Sequence, residues 1–155
     1  KAHAHEAIRL MPTVLENLEF ADIVRGSDED FQNLYGKSDA QEVYKEHIQF
    51  YCDRFLTTHG ANGVNLHTRN FNTNFDSPQI QPLSTIGAGD NFNAGIIYGL
   101  LKYDVRHADL PSLDQDSWGK IIRCGMDLAP RFAKAMIIIY PRSSRRSMLV
   151  SLKYH

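Results

Sequence analysis

The 155 residues hold 17 Lys and Arg against 18 Asp and Glu, and 43% of them are apolar. A net charge of −1 excludes a wholesale polyanion binder. The composition is that of an ordinary globular chain, long enough to bury roughly 70% of its unfolded surface in one domain. No run reaches the ~18 apolar residues of a membrane span. The two cysteines, Cys52 and Cys124, are too few and too far apart for a disulfide framework or a zinc knuckle, so a reducing, cytoplasmic setting is expected. Residues Lys1 to Glu6 lack the start Met and apolar core of a secretory signal and read as a chain entered in the middle.

In chain order, Pro12 and Thr13 open a short helical pattern with Val14, Leu15 and Leu18 on one side, and Ala21 to Val24 read as a buried strand. Ser27 with Asp30 predicts a capping-box start for a short helix that Gly36 ends, and Ser38 with Gln41 predicts a second helix carrying Val43, Tyr44, His47, Ile48 and Tyr51. Arg54 to Thr58 is a strand running into the turn residues Gly60, Asn62 and Gly63; Val64 to His67 and Phe71 to Phe75 then form a hairpin. Gln79 to Leu83 is extended, because Pro78 and Pro82 disfavour helix. Gly87 to Asp90 opens a helix to about Leu101 whose apolar residues fall on most sides, as in a buried helix. A last helix, capped near Asp116 or Ser117, places Trp118, Ile121, Ile122, Gly125 and Ala129 on one face until Pro130. Alternating helices and strands predict an α/β fold with a largely parallel sheet. Beyond Pro130 the composition changes. Arg131, Lys134, Arg142, Arg145, Arg146 and Lys153 occur with no acid, leaving 11 basic against 18 acidic residues before them.

The sharpest chemical feature is the run Ser84-Thr85-Ile86-Gly87-Ala88-Gly89-Asp90 between an extended segment and a helix. Glycines let the backbone approach a ligand, and the first N–H groups of a helix lack internal acceptors, so such a start suits an anion. Asp90 stands where a carboxylate takes a proton from a hydroxyl while the amides stabilise a transferring phosphoryl group. The same residues also fit a plain turn followed by an acid that favours the helix N-terminus. Thr58-His59-Gly60-Ala61-Asn62-Gly63 ends a strand in a second glycine turn, which alone is equally consistent with a hairpin loop. Neither turn is a Walker A loop, since no Gly-Lys-Ser/Thr follows.

Taken together, the two turns resemble those of the ribokinase-like (PfkB) carbohydrate kinases. That family's C-terminal signature, Asp-Thr-x-Gly-Ala-Gly-Asp-x-Phe-x-Ala-Gly, stands here as Ser84-Thr85-Ile86-Gly87-Ala88-Gly89-Asp90-Asn91-Phe92-Asn93-Ala94-Gly95. The family's upstream Thr-x-Gly-x-x-Gly turn is matched by Thr58, Gly60 and Gly63, and its Asn-x-x-Glu by Ser27-Asp28-Glu29-Asp30. The resemblance implies a partial, Rossmann-like ribokinase fold of class α/β: the C-terminal half of a kinase domain over residues 1–130, followed by an atypical basic tail over 131–155. It implies ATP-dependent phosphorylation of a sugar hydroxyl, fructokinase- or ribokinase-like, with Asp90 as the catalytic base and Gly87, Ala88 and Gly89 as the anion hole. Thr58, Gly60 and Gly63 would line the ATP site. Ser27 and Asp30 would lie near Mg²⁺ and the phosphates, mostly through water, although a capping box explains both without a metal.

Three departures accompany the resemblance. Ser84 replaces the Asp that helps hold a monovalent cation in many relatives, which leaves activation by potassium open. Pro130 and the basic tail interrupt the region that flanks adenine. The sugar-gripping N-terminal half and lid have no counterpart, so an open sheet edge and an exposed apolar face are expected, together with pairing to another chain such as a homodimer. Two other classes stay open: a non-catalytic nucleotide-binding or regulatory relative, and a binder of nucleic acid or an acidic partner through Arg142, Arg145 and Arg146. His3, His5, His47, His59, His67 and His107 show no zinc-site spacing, and Trp118 reads as core.

Overall fold

The computed structural model describes residues 2–77 and 87–139, with side chains over 8–77 and 87–128. Helix α1 (Ala2–Phe20) leads to strand β1 (Val24–Ser27), helix α2 (Asp28–Tyr35) and the short helix α3 (Ala40–Val43), which widens into a π-helical stretch (Tyr44–Ile48). Strands β2 (Phe55–Thr58), β3 (Val64–His67) and β4 (Asn72–Phe75) follow, then helices α4 (Ala88–Lys102) and α5 (Gln115–Ile139).

The sheet order is β1-β2-β3-β4. β1 and β2 are parallel, in register from Val24 opposite Phe55 to Ser27 opposite Thr58; the other two pairs are antiparallel. The expected α/β architecture is present, but among the described residues the sheet is mixed rather than largely parallel. The cause is loop length. The connection from β1 to β2 carries two helices and can cross over, whereas the short turns after Thr58 and His67 can only reverse the chain. Nothing among the described residues pairs with the outer edge of β1.

β2 is buried on both faces, and its alternation divides the core. Leu56 joins Val64, Leu66, Phe92, Ile96, Trp118, Ile121 and Ile122 under α4 and α5, while Phe55 joins Leu18, Phe31, Val43, Tyr44, Ile48 and Cys52 under α1 to α3. Trp118 is fully buried, as its helical spacing predicts. Cys52 is buried, and its burial raises the thiol pKa, whereas Cys124 is only partly buried; both are free.

Several boundaries differ from the sequence reading. α1 begins ten residues before Pro12 and continues through it, and β1 starts at Val24 rather than ending there. Asp39, not Ser38, caps α3 by accepting the Glu42 N–H at 2.9 Å. Asp114 caps α5 by accepting the Ser117 N–H at 2.8 Å. α5 runs through Pro130 to Ile139, so that proline ends no helix. Each miss has the same origin: proline and polar residues mark where a helix can start or stop, but a neighbouring polar side chain or a packed turn decides which mark is used. α4 is not buried all round either; Ile97, Tyr98 and Leu101 are 59%, 53% and 76% exposed and form an apolar face. Gln79 to Leu83 and Arg142 to Lys153 lie outside the described residues.

α4 and α5 touch through glycines. A Cβ on Gly95 would sit 2.5 Å from the Cys124 carbonyl oxygen and 2.5 Å from the Gly125 Cα. Gly95→Ala gains up to about 1 kcal/mol of helix propensity but loses about 1–3 kcal/mol to overpacking against rigid backbone. A lower urea midpoint is therefore expected; a higher one would show that the helices are not held this close. His67 supplies a pH test. Its ring lies 5.5 Å from Tyr44 and 6.1 Å from Phe55, and its buried Nδ1 has no hydrogen-bond partner. Burial lowers its pKa below the ordinary 6.5. The unfolded chain then binds more protons, so stability falls as pH drops below 6.5 and on through the folded pKa. The urea midpoint of the wild type should drop more between pH 7.5 and 5.5 than that of His67→Leu.

Candidate active site

Parallel pairing sets the carboxyl ends of β1 and β2 side by side, with Ser27 opposite Thr58. Crevices at the carboxyl ends of parallel strands are where α/β folds place ligands. Ser27 caps α2: its N–H donates to Asp30 Oδ2 at 2.8 Å, and its Oγ accepts the Asp30 N–H at 3.1 Å. The capping box predicted from sequence is present and occupies the facing atoms of both residues. No group of three or more metal-ligating side chains occurs among the described residues.

After Thr58 the chain turns through Gly60–Asn62 as a single 3₁₀ turn. Gly60 has φ 56° with open space around it, whereas Gly63 has φ 93° and its missing Cβ would collide with the Phe75 carbonyl oxygen. Gly63 therefore satisfies two constraints, a backbone conformation closed to other residues and the close approach of the strand end. His59 sits inside this turn, in a polar chain. Asn74 Nδ2 donates to Asn65 Oδ1 at 2.6 Å, and Asn65 Nδ2 lies 2.9 Å from His59 Nε2. That arrangement makes Nε2 the acceptor and places the imidazole proton on Nδ1, 3.4 Å from Asp28 Oδ2. The turn is thereby tied both to the first turn of α2 and to the hairpin.

The N-terminus of α4 completes the cluster. Gly87 is its N-cap in the left-handed conformation, φ 76°, and the first intrahelical bond runs from the Asn91 N–H to the Gly87 carbonyl at 3.0 Å. α2, α3 and α5 start on side-chain caps, whereas among the described residues no side chain caps α4 and none accepts from the amides of Ala88, Gly89 and Asp90, the donors that a helix start offers to an acceptor from outside. Asp90 is exposed in this first turn.

Arg25, the second residue of β1, links the parts. Its Nη2 donates to Thr58 Oγ1 at 3.0 Å, its guanidinium lies 5.4 Å from the Phe92 ring centre, and a Cβ on Gly89 would come within 2.8 Å of Nη1. Burial lowers its pKa, opposed by the charges of Asp30 and Asp90. The sequence reading ended the strand at Val24 and so passed over Arg25; a cation directly after an apolar strand run was the available signal. His59 was set aside as a loop residue for want of metal-site spacing. The described residues therefore bring together Ser27, Asp30, Thr58, Gly60, Gly63, Gly87, Ala88, Gly89 and Asp90 around the ends of β1, β2 and α4, while Ser84 lies outside them. Two concave surfaces among the described residues, of about 360 Å³ beside Tyr103 and Lys120 and about 90 Å³ beside Arg54 and Trp118, are lined by other residues.

Residues 4–129 match the pfkB family carbohydrate kinases. The chain belongs to that family. It is 27% identical over 88 residues to a ribokinase of Lactococcus lactis, covering 57% of this chain and 28% of the relative. It is 30% identical over 80 residues to a fructokinase of Rhizobium leguminosarum, covering 52% and 24%. Among solved structures, fructokinase from Vibrio cholerae bound to fructose, ADP and calcium superposes with a TM-score of 0.67 at 26% identity, covering 78% of this chain and 37% of that one. The pfkB chain described here thus spans about a quarter of the length of the curated relatives.

The two glycines of the Thr58 turn should respond differently to alanine. Gly60→Ala should cost about 1–2 kcal/mol for the left-handed conformation alone. Gly63→Ala adds a backbone collision, and its unfolding midpoint should fall well below that of Gly60→Ala. Equal midpoints would show that the Phe75 strand end does not press on this turn.

Proposed function

We propose that this chain carries the nucleotide-binding and catalytic part of an ATP-dependent sugar kinase. The observation that carries the reading is the uncapped start of α4, with Gly87 left-handed and Asp90 exposed in the first turn, set beside the ends of β1 and β2. In this reading Asp90 takes the proton from a primary hydroxyl of the sugar, turning it into the nucleophile for in-line attack on the terminal phosphorus of Mg-ATP. The amides of Gly87, Ala88 and Gly89, backed by the helix dipole, hold the negative charge that builds on the transferred group. Thr58, Gly60 and Gly63 line the nucleotide. Asp28, Glu29 and Asp30, in the acidic first turn of α2 beside the strand ends, would hold a magnesium ion accompanying ATP, mostly through water, and the ion would offset the phosphate charge there. Fructose is the preferred acceptor, in line with the relatives named fructokinase. The activity is placed in the cytoplasm, the setting of an ATP-using enzyme with free thiols.

A non-catalytic, nucleotide-binding role is the second reading. It is favoured by the open edge of β1 and the exposed face of Ile97, Tyr98 and Leu101, where a further polypeptide surface, a second copy included, would pack.

Sugar-dependent ADP release from Mg-ATP, tested with fructose, ribose, 2-keto-3-deoxygluconate and adenosine, separates the two. On the kinase reading one acceptor supports turnover, and Asp90→Asn lowers it by roughly 10²–10⁴-fold with ATP affinity nearly unchanged. Full activity in Asp90→Asn overturns the assignment of the base. ATP binding without turnover on any acceptor supports the second reading.

A further inference from the structure

The half-buried cation beside the glycine turns has no role in the reading above. Arg25 carries five N–H donors in a rigid fork; among the described residues one of them is satisfied by Thr58 Oγ1, while the buried Nε has no partner there. No ion pair to Arg25 occurs among the described residues. Placing an arginine inside a strand end is unfavourable unless its charge is compensated. Here the compensation is incomplete: a ring face at 5.4 Å and two carboxylates, Asp30 and Asp90, that act from beyond contact. The guanidinium also packs against the first turn of α4, where Nη1 lies 2.8 Å from the position of a Gly89 Cβ, so a side chain there would have to displace the guanidinium.

The geometry points to Arg25 as the positioning residue of this site: a half-buried guanidinium that ties Thr58 to the first turn of α4 and sets a positive charge behind the amides that receive the phosphoryl group. Three links support this. The hydrogen bond to Thr58 couples the nucleotide turn to β1. The packing against Gly89 fixes how far the amides of α4 stand from the strand ends. The charge adds to the helix dipole from a partly desolvated position, where screening by salt is weaker than at an exposed site. The ligand class is therefore anionic, the di- or triphosphate of a nucleotide. A bound phosphate would supply the countercharge that Arg25 lacks within the fold.

The inference rests on the proposed nucleotide site, and ADP binding by calorimetry at low and high salt tests the two separately. Wild type should bind ADP and lose affinity as salt rises. Arg25→Met should bind about tenfold more weakly at low salt and show a flatter salt dependence, because one fixed charge is gone. Arg25→Lys should keep the salt dependence while losing part of the affinity, and Thr58→Val, which removes the hydroxyl acceptor and leaves the charge, should do the same. Wild-type affinity in Arg25→Met, or weaker binding with the salt dependence unchanged, overturns the inference alone. If Arg25→Met fails to fold, unchanged ADP affinity in both Arg25→Lys and Thr58→Val overturns it. Absence of ADP binding by the wild type overturns the nucleotide site itself and the role of Arg25 with it.

Discussion

The site depends on the parallel pairing of β1 with β2. Four register pairs, from Val24 and Phe55 to Ser27 and Thr58, align two strand ends whose next residues turn in opposite ways. One continues directly into α2 through a capping box, and the other enters a glycine turn that returns as β3. Only with the strands parallel do both turns open on the same edge of the sheet. A one-residue slip would exchange Phe55 and Leu56 between the two cores and place Thr58 beyond reach of Arg25. The helices on both faces hold this register, because Phe55 and Leu56 are both fully buried, one in each core.

The third part of the site comes from the other end of the chain. α4 reaches the strand ends by packing on α5 through Gly95, and both helices lie on the Leu56 side of the sheet. The two close contacts differ in kind: a Cβ on Gly95 would meet backbone of α5, which cannot yield, whereas a Cβ on Gly89 would meet the end of the Arg25 side chain and displace it. Gly87 is different, since its Cβ would have room and its left-handed conformation is what requires glycine. Within the nine residues from Gly87 to Gly95, glycine thus serves conformation at one position and close approach at two others, to a side chain at Gly89 and to backbone at Gly95.

The electrostatics follow from this geometry. Acidic residues crowd the first turn of α2, Asp90 stands at the first turn of α4, and Arg25 lies between them, partly desolvated. A cation flanked by carboxylates at longer range, together with unpaired helix amides, suits an anion that arrives with its own divalent metal. The exposed apolar face of α4 points to a different requirement. Ile97, Tyr98 and Leu101 gain nothing from water, and an apolar cluster of this kind suits contact with a further polypeptide surface.

Local patterns determined a good deal by themselves. The Ser27 and Asp30 cap, the stop at Gly36, the hairpin of β3 and β4, the start of α4 at Gly87 and the burial of Trp118 were legible because each is decided within a few residues, by hydrogen-bond chemistry, backbone freedom or helical spacing. The family was legible for a related reason: a glycine run before Asp90 and a second one after Thr58 are short, ordered strings. What only the tertiary structure decided is how distant pieces meet. The mixed sheet, the extension of α1 and α5 through their prolines, the one-sided burial of α4 and the tautomer of His59 all depend on partners far away in sequence. Arg25 shows the limit most clearly. Its neighbours in the chain show only a cation after an apolar strand run, and its importance comes from Thr58, Gly89 and Phe92, which β2 and α4 bring to it. Packing chooses among the options that local chemistry leaves open, because the free energy that separates them lies in contacts the local sequence does not contain.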